Sequence, residues 1–147
     1  MRALGLDLGT KTIGLAVTDE LGITAQGIET LERRGPRKDL DALLKHATEL
    51  SVDRFVIGLP LNMDGSEGPR AKATREFGAT LETASTLPVI YWDERLTTVA
   101  AHRMLLEADV SRKKRKEVVD QIAAVLILQG WMDSLRTPSA YRDDDID

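Results

Sequence analysis

The 147-residue chain is predicted to be an α/β protein, a mixed β-sheet with helices on both faces. Three observations predict this. Two alternating apolar runs meet across a short turn near the N-terminus. Two short, wholly apolar runs follow further along, and stretches of helical periodicity lie between and after them.

Residues 2–8 and 12–18 read as a hairpin. Strand side chains alternate between faces, so Leu4, Leu6 and Leu8 share one side, as do Ile13, Leu15 and Val17. The other side carries Ala3, Gly5, Asp7 and Gly9 in the first strand and Thr12, Gly14 and Ala16 in the second. Residues 22–31 form a third strand with less regular alternation. From Pro36 to about Leu50 a helix is expected, with Leu40, Leu43, Leu44 and Ala47 on one stripe. Residues 53–59 are a short apolar run ended by Pro60, the profile of a buried strand. A loop from Pro60 to Pro69 leads into a second helix ending near Ser85, and residues 88–92 form another buried strand. Thr97 or Thr98 would cap a third helix running to about Glu107. A basic loop then precedes a long apolar helix from about Arg115 to Leu135, with Ser111 a candidate N-cap. One domain is expected over residues 1–136, with an acidic tail, frayed or disordered, over 137–147.

Composition narrows the function classes. Hydrophobic residues at 42% and charged residues at 30% fit an ordinary globular core. With no cysteine, disulfides, thiolate nucleophiles and zinc–thiolate sites are excluded. No apolar stretch approaches the ~20 residues of a membrane span, and the N-terminus reads as a strand rather than a signal peptide. A cytoplasmic protein without a membrane partner is expected. The net charge of −4 hides an uneven distribution: residues 142–147 hold four acids and one base, and the rest carries 20 acids and 19 bases. Positive charge is bunched in residues 33–38 and again at Arg112, Lys113, Lys114, Arg115 and Lys116. Such clusters either contact phosphates or are solvated loops.

Asp7 stands out because an ionised carboxylate inside an apolar strand is expensive unless a cation compensates it. Its face is stripped of bulk, and strand glycines often mark close approach of a ligand or another backbone. Asp93 and Glu94 follow the last strand, where ligands of α/β sheets gather; the other reading makes them turn residues or helix-start acids. Alternation means that both should not face one site. Asp120 lies early in the long helix and shares a face with Ala123, Ala124 and Ile127. That small-residue stripe would let the helix lie close on the Gly5/Gly14 face and point Asp120 toward Asp7. The alternative is an exposed surface acid. Taken together, Asp7, Glu94 and Asp120 suggest oxygen ligands for a hard cation, Mg²⁺ or Mn²⁺. His46 and His102 fall within predicted helices and stay outside this set.

Four blocks resemble the YqgF/RuvX family, which is described both as Holliday-junction resolvases and as nucleases of 16S rRNA precursors. They are residues 5–19, 58–69, 93–98 and 120–129, reading GLDLGTKTIGLAVTD, GLPLNMDGSEGP, DERLTT and DQIAAVLILQ. The resemblance implies a ribonuclease H-like fold with a five-stranded mixed sheet, antiparallel at first and then parallel. It also implies a two-metal-ion nuclease with catalytic acids at Asp7, Glu94 and Asp120, Asp93 being the weaker claimant of its pair. Thr12 departs from the pattern, since arginine is expected there. Asn62 and Ser66 either bond phosphate or sugar oxygens or hold the turns of their own loop. Lys11 and Arg95 either contact phosphate or pair with a carboxylate. Arg112, Lys113, Lys114 and Arg115 lead into the helix of Asp120 as a backbone clamp for nucleic acid.

Two other classes compete with a nuclease. The first block also resembles a phosphate loop of actin-like and sugar-kinase ATPases, but no second Asp-x-Gly-Thr follows and the chain is too short for two lobes. A non-catalytic ribosome-assembly module is the other. Precursor rRNA is the favoured substrate and branched DNA the second. Junction resolution would call for two active sites facing two strands, as in a homodimer.

Overall fold

The computed structural model describes residues 1–96 and 112–136, with the backbone course alone for 112–118. Five strands form one sheet: β1 (Ala3–Leu8), β2 (Thr12–Thr18), β3 (Ala25–Glu32), β4 (Arg54–Leu59) and β5 (Val89–Asp93). Their spatial order is β3-β2-β1-β4-β5. β3, β2 and β1 run antiparallel to one another in turn, while β4 is parallel to both β1 and β5. The helices are α1 (Pro36–Glu49), α2 (Pro69–Ser85) and α3 (Arg112–Arg136), and a 3-10 turn spans Glu94–Leu96. The predicted helix over 97–107 and the acidic tail lie outside the described residues.

Alternation in the hairpin sorts the core into two layers. Leu4, Leu6, Leu8, Ile13, Leu15 and Val17 join Phe55 and Ile57 under Leu43 and Ala47 of α1 and Leu81 of α2. On the opposite face, Ala3, Ala16 and Val56 meet Ala123, Ala124, Ile127, Leu128, Trp131 and Met132 of α3. Helices therefore cover both faces, and the long one takes the face poor in side chains.

β3 owes its irregular pattern to a bulge. Leu15 pairs with Glu29 and Ala16 with Gly27, so Ile28 is an extra residue against β2. An inserted residue shifts the period-2 pattern by one, which is why no clean alternation is visible in that strand. The basic run of residues 112–116 is a correction to the expected loop, because α3 already begins at Arg112. Lys116 thus stands about one helical turn ahead of Asp120.

The α3 face is close-fitting because glycines make it so. A Cβ on Gly5 would lie 2.8 Å from Leu128 Cβ and 3.2 Å from the Ala124 carbonyl oxygen. On Gly14 it would run into the carbonyl oxygen of Asp120. Gln129 secures the far end of α3, accepting a 2.9 Å hydrogen bond from the Ala25 N–H and donating 3.1 Å to the Ile23 carbonyl.

Gly14→Ala is expected to destabilise the protein by at least the ~1–3 kcal/mol typical of overpacking, because the obstacle is helix backbone that cannot rotate away. Urea unfolding checks this. A change within about 0.5 kcal/mol would mean that α3 does not rest on Gly14.

Candidate active site

Asp7 is the next residue after Leu6 in β1 and therefore projects to the α3 face. It is buried, with 2% of its surface exposed. Its partner in β2 is Gly14. One step beyond the Leu6–Ile57 pair, Gly58 of β4 stands on its other side, and Gly58 pairs in turn with Trp92 of β5. The only acid in this row of the sheet is thus bracketed by two residues without side chains.

The space that these glycines leave is filled by the two other candidate acids. Above Gly14 sits the main chain of Asp120. Above Gly58, Glu94 Oε1 comes within 2.6 Å of where a Cβ would stand, beside the Ile127 side chain. Asp120 is also buried, and its Oδ2 accepts a hydrogen bond from the Thr12 hydroxyl. Asp120 and Glu94 consequently flank Asp7 from opposite sides on one face of the sheet.

Asp93 has a different task. Its Oδ2 takes a 2.7 Å bond from an Arg95 terminal nitrogen, and its Oδ1 takes 3.1 Å from Arg95 Nε and 2.9 Å from the Arg95 backbone N–H. Arg95 reaches on to the Met63 carbonyl at 3.3 Å, tying the 60–68 loop to the end of β5. These bonds from Arg95, with its charge, hold the Asp93 carboxyl below its ordinary value. Arg95 is thus paired with a carboxylate, with its side chain still partly exposed.

Within the loop, the Asn62 side-chain amide donates to Ser66 Oγ at 2.9 Å, and Ser66 Oγ donates to Asp64 Oδ1 at 2.6 Å. Asn62 and Ser66 thus hold the turn in which they lie. Lys11 is exposed at the tip of the β1–β2 turn. That turn is braced from below by Arg33, which donates 2.9 Å to the Gly9 carbonyl and pairs with buried Asp39 at 3.1 Å. Arg33 is accordingly a structural member of its basic cluster, while Arg34, Arg37 and Lys38 are exposed. His46 pairs with Glu29 at 2.6 Å, remote from the acids in the sheet order. His102 lies outside the described residues.

Three features escaped the sequence reading: Gly58 as the second flank of Asp7, Thr12 as the partner of Asp120, and the Arg33–Asp39 brace. Gly58 was visible as a glycine in an apolar strand, but only the β1–β4 register sets it beside Asp7. Thr12 shares a strand face with Gly14, which was a usable signal once α3 is known to lie there.

In chemical type the oxygen donors, carboxylates from three elements, suit a hard cation. Among the described residues no group of three His, Cys, Asp or Glu side chains is disposed to hold a metal ion by itself. Among the described residues, no helix is long and apolar enough to cross a membrane.

Residues 1–134 match the family model RuvX, described as Holliday junction resolvase. The chain belongs to the RuvX family. A Myxococcus xanthus protein named "Putative pre-16S rRNA nuclease" is 60% identical over 148 residues, covering 100% of this chain and 98% of its own. A Bacillus subtilis protein of the same name is 54% identical over 137 residues, covering 92% and 99%. In fold, the RuvX chain is similar to Thermus thermophilus RuvC, solved in complex with a Holliday junction substrate. The TM-score is 0.58 at 11% identity, covering 93% of this chain and 97% of that one. It is also similar to the fowlpox virus Holliday junction resolvase, with a TM-score of 0.54 at 18% identity, covering 92% and 99%. The mixed sheet, 3-2-1-4-5, is thus the resolvase-type ribonuclease H-like fold expected from the sequence.

A lowered folded-state pKa contributes stability above the ordinary carboxylate value of about 3.9, lost as pH falls through the folded value. Asp93→Asn is therefore expected to melt below the wild type at pH 7, with the gap narrowing steadily as pH drops below about 4. A pH series of melting temperatures checks this. A gap independent of pH would assign the loss to packing instead.

Proposed function

We propose that this RuvX-family chain is a metal-dependent nuclease that hydrolyses phosphodiester bonds in precursor 16S rRNA. In this reading Asp7, Glu94 and Asp120 hold Mg²⁺ or Mn²⁺. The observation that carries the site is the buried Asp7 between Gly14 and Gly58, with Asp120 and Glu94 over those two glycines. The substrate rests on the naming of relatives that match almost end to end. A cytoplasmic location goes with that substrate.

Each acid has a separate local task. Asp7 is immobilised by pairing on both sides of its strand, so it sets the origin of the site. Asp120 enters from the helix and Glu94 from the turn after β5, so a bound cation would draw carboxylates from three independent elements. A divalent cation held by these acids would supply Lewis-acid stabilisation of the phosphate and lower the pKa of the attacking water. The basic first turns of α3, Arg112 to Arg115, and the exposed Lys11 supply backbone contacts for nucleic acid.

The second reading, Holliday-junction resolution, is favoured by the description of the matching family. It adds a requirement for a homodimer, since two strands must be cut. One assay separates the two: cleavage of precursor 16S rRNA, single-stranded nucleic acid and a four-way junction, alongside a sedimentation measurement. Preferred cleavage of the junction by a dimer would replace rRNA as the substrate.

Activity is expected with Mn²⁺ or Mg²⁺ and its loss in EDTA. Asp7→Asn, Glu94→Gln and Asp120→Asn should each lower turnover at least about 100-fold, as removal of several kcal/mol of metal-assisted stabilisation implies. Asp93→Asn should retain turnover. Undiminished cleavage after exhaustive chelation would exclude the mechanism, and near-wild-type turnover of any one of the three variants would remove that acid from the site.

Changing Lys113, Lys114 and Arg115 together to alanine should flatten the salt dependence of nucleic-acid binding. Three lost phosphate contacts correspond to about 2–3 in the slope of log K against log salt. An unchanged slope would leave the start of α3 outside the interface.

A further inference from the structure

We propose that Thr12 is the positioning residue for Asp120, orienting that carboxylate for the divalent cation; this rests on the nuclease reading above. Asp120 is buried and its Oδ2 accepts the Thr12 hydroxyl hydrogen. The other carboxylate oxygen is left to serve as a ligand.

Both ends of this contact are rigid. Thr12 is the first residue of β2, paired with Glu32 of β3, and its carbonyl accepts a 2.9 Å bond from the Gly9 N–H across the turn that follows Asp7. Two residues along the same strand face, Gly14 receives the Asp120 backbone. The helix therefore rests on β2 at two points, main chain on Gly14 and carboxylate on Thr12. A hydroxyl donor fixes the orientation of the carboxylate by a hydrogen bond without placing an opposite charge beside it. Hydrogen bonds to ligating carboxylates are outer-shell contacts whose loss typically lowers metal affinity 10–100-fold.

The choice of residue type makes the idea testable. Valine matches threonine in shape and suits a strand equally well, so Thr12→Val removes the hydroxyl and little else. Serine keeps the hydroxyl. The experiment is calorimetric titration of Mn²⁺ into wild type, Thr12→Val and Thr12→Ser, with melting of each protein in EDTA to establish folding. Cleavage is followed against Mn²⁺ concentration. Thr12→Val should bind Mn²⁺ 10–100-fold more weakly, with cleavage depressed at low Mn²⁺ and recovering as Mn²⁺ approaches saturation. Thr12→Ser should bind within about threefold of wild type. Equal Mn²⁺ affinity in wild type and Thr12→Val would overturn the role of Thr12 while leaving the nuclease reading intact. Thr12→Ser binding as weakly as Thr12→Val would overturn it too, since the hydroxyl is then not the active element. A wild type that binds no Mn²⁺ and cleaves in EDTA would overturn both the role of Thr12 and the nuclease mechanism.

Discussion

The contact of the Asp120 backbone with Gly14 is the constraint on which the rest of this molecule depends. A helix packs on a sheet at a distance set by the side chains between them. Here the hairpin offers almost none: Ala3, Gly5, Gly14 and Ala16 present a floor on which Ala123, Ala124, Ile127 and Leu128 settle directly. Because α3 is so close, an early residue of the helix can bring its carboxylate down to the level of the sheet. With larger residues in the floor, the helix would be displaced outward and Asp120 with it. The packing of α3 therefore fixes where the Asp120 carboxylate stands.

The opposite face is conventional and serves as the counterweight. Leucine, isoleucine, valine and phenylalanine side chains of the sheet meet α1 and α2. Burying large apolar groups there stabilises the fold at about 25 cal/mol per Å² of apolar surface, in addition to the apolar layer under α3. The Arg33–Asp39 pair extends that support to the turn after Asp7 by gripping the Gly9 carbonyl. Asp7, next to that turn, is thus held in a rigid frame.

The neighbouring acids Asp93 and Glu94 turn to different partners. Asp93, the last residue of β5, is captured by Arg95 and anchors the 60–68 loop. Glu94 opens the 3-10 turn and reaches back over Gly58. Adjacent residues in an extended chain point to opposite sides, so the end of a strand sends consecutive side chains to different faces.

Much of this was legible in the residue order. The two-faced hairpin, the buried strand at 54–59, the existence of a strand at 89–93 and the helices at 36–49 and 69–85 follow from local pattern. The half-burial of 89–93, expected to be buried, instead reflects its place at the edge of the sheet. The alanine stripe after Asp120 even named the face on which α3 would lie. Tertiary structure alone decided the remainder. The bulge that pairs Glu29 but skips Ile28, the register that sets Gly58 beside Asp7, and the hydroxyl that Thr12 turns to Asp120 all join residues far apart in the chain or depend on a pairing offset. Local sequence sets which way a side chain points relative to its own backbone. Which partner it meets depends on the offset between elements, and that is settled only when close packing admits one register and excludes the next.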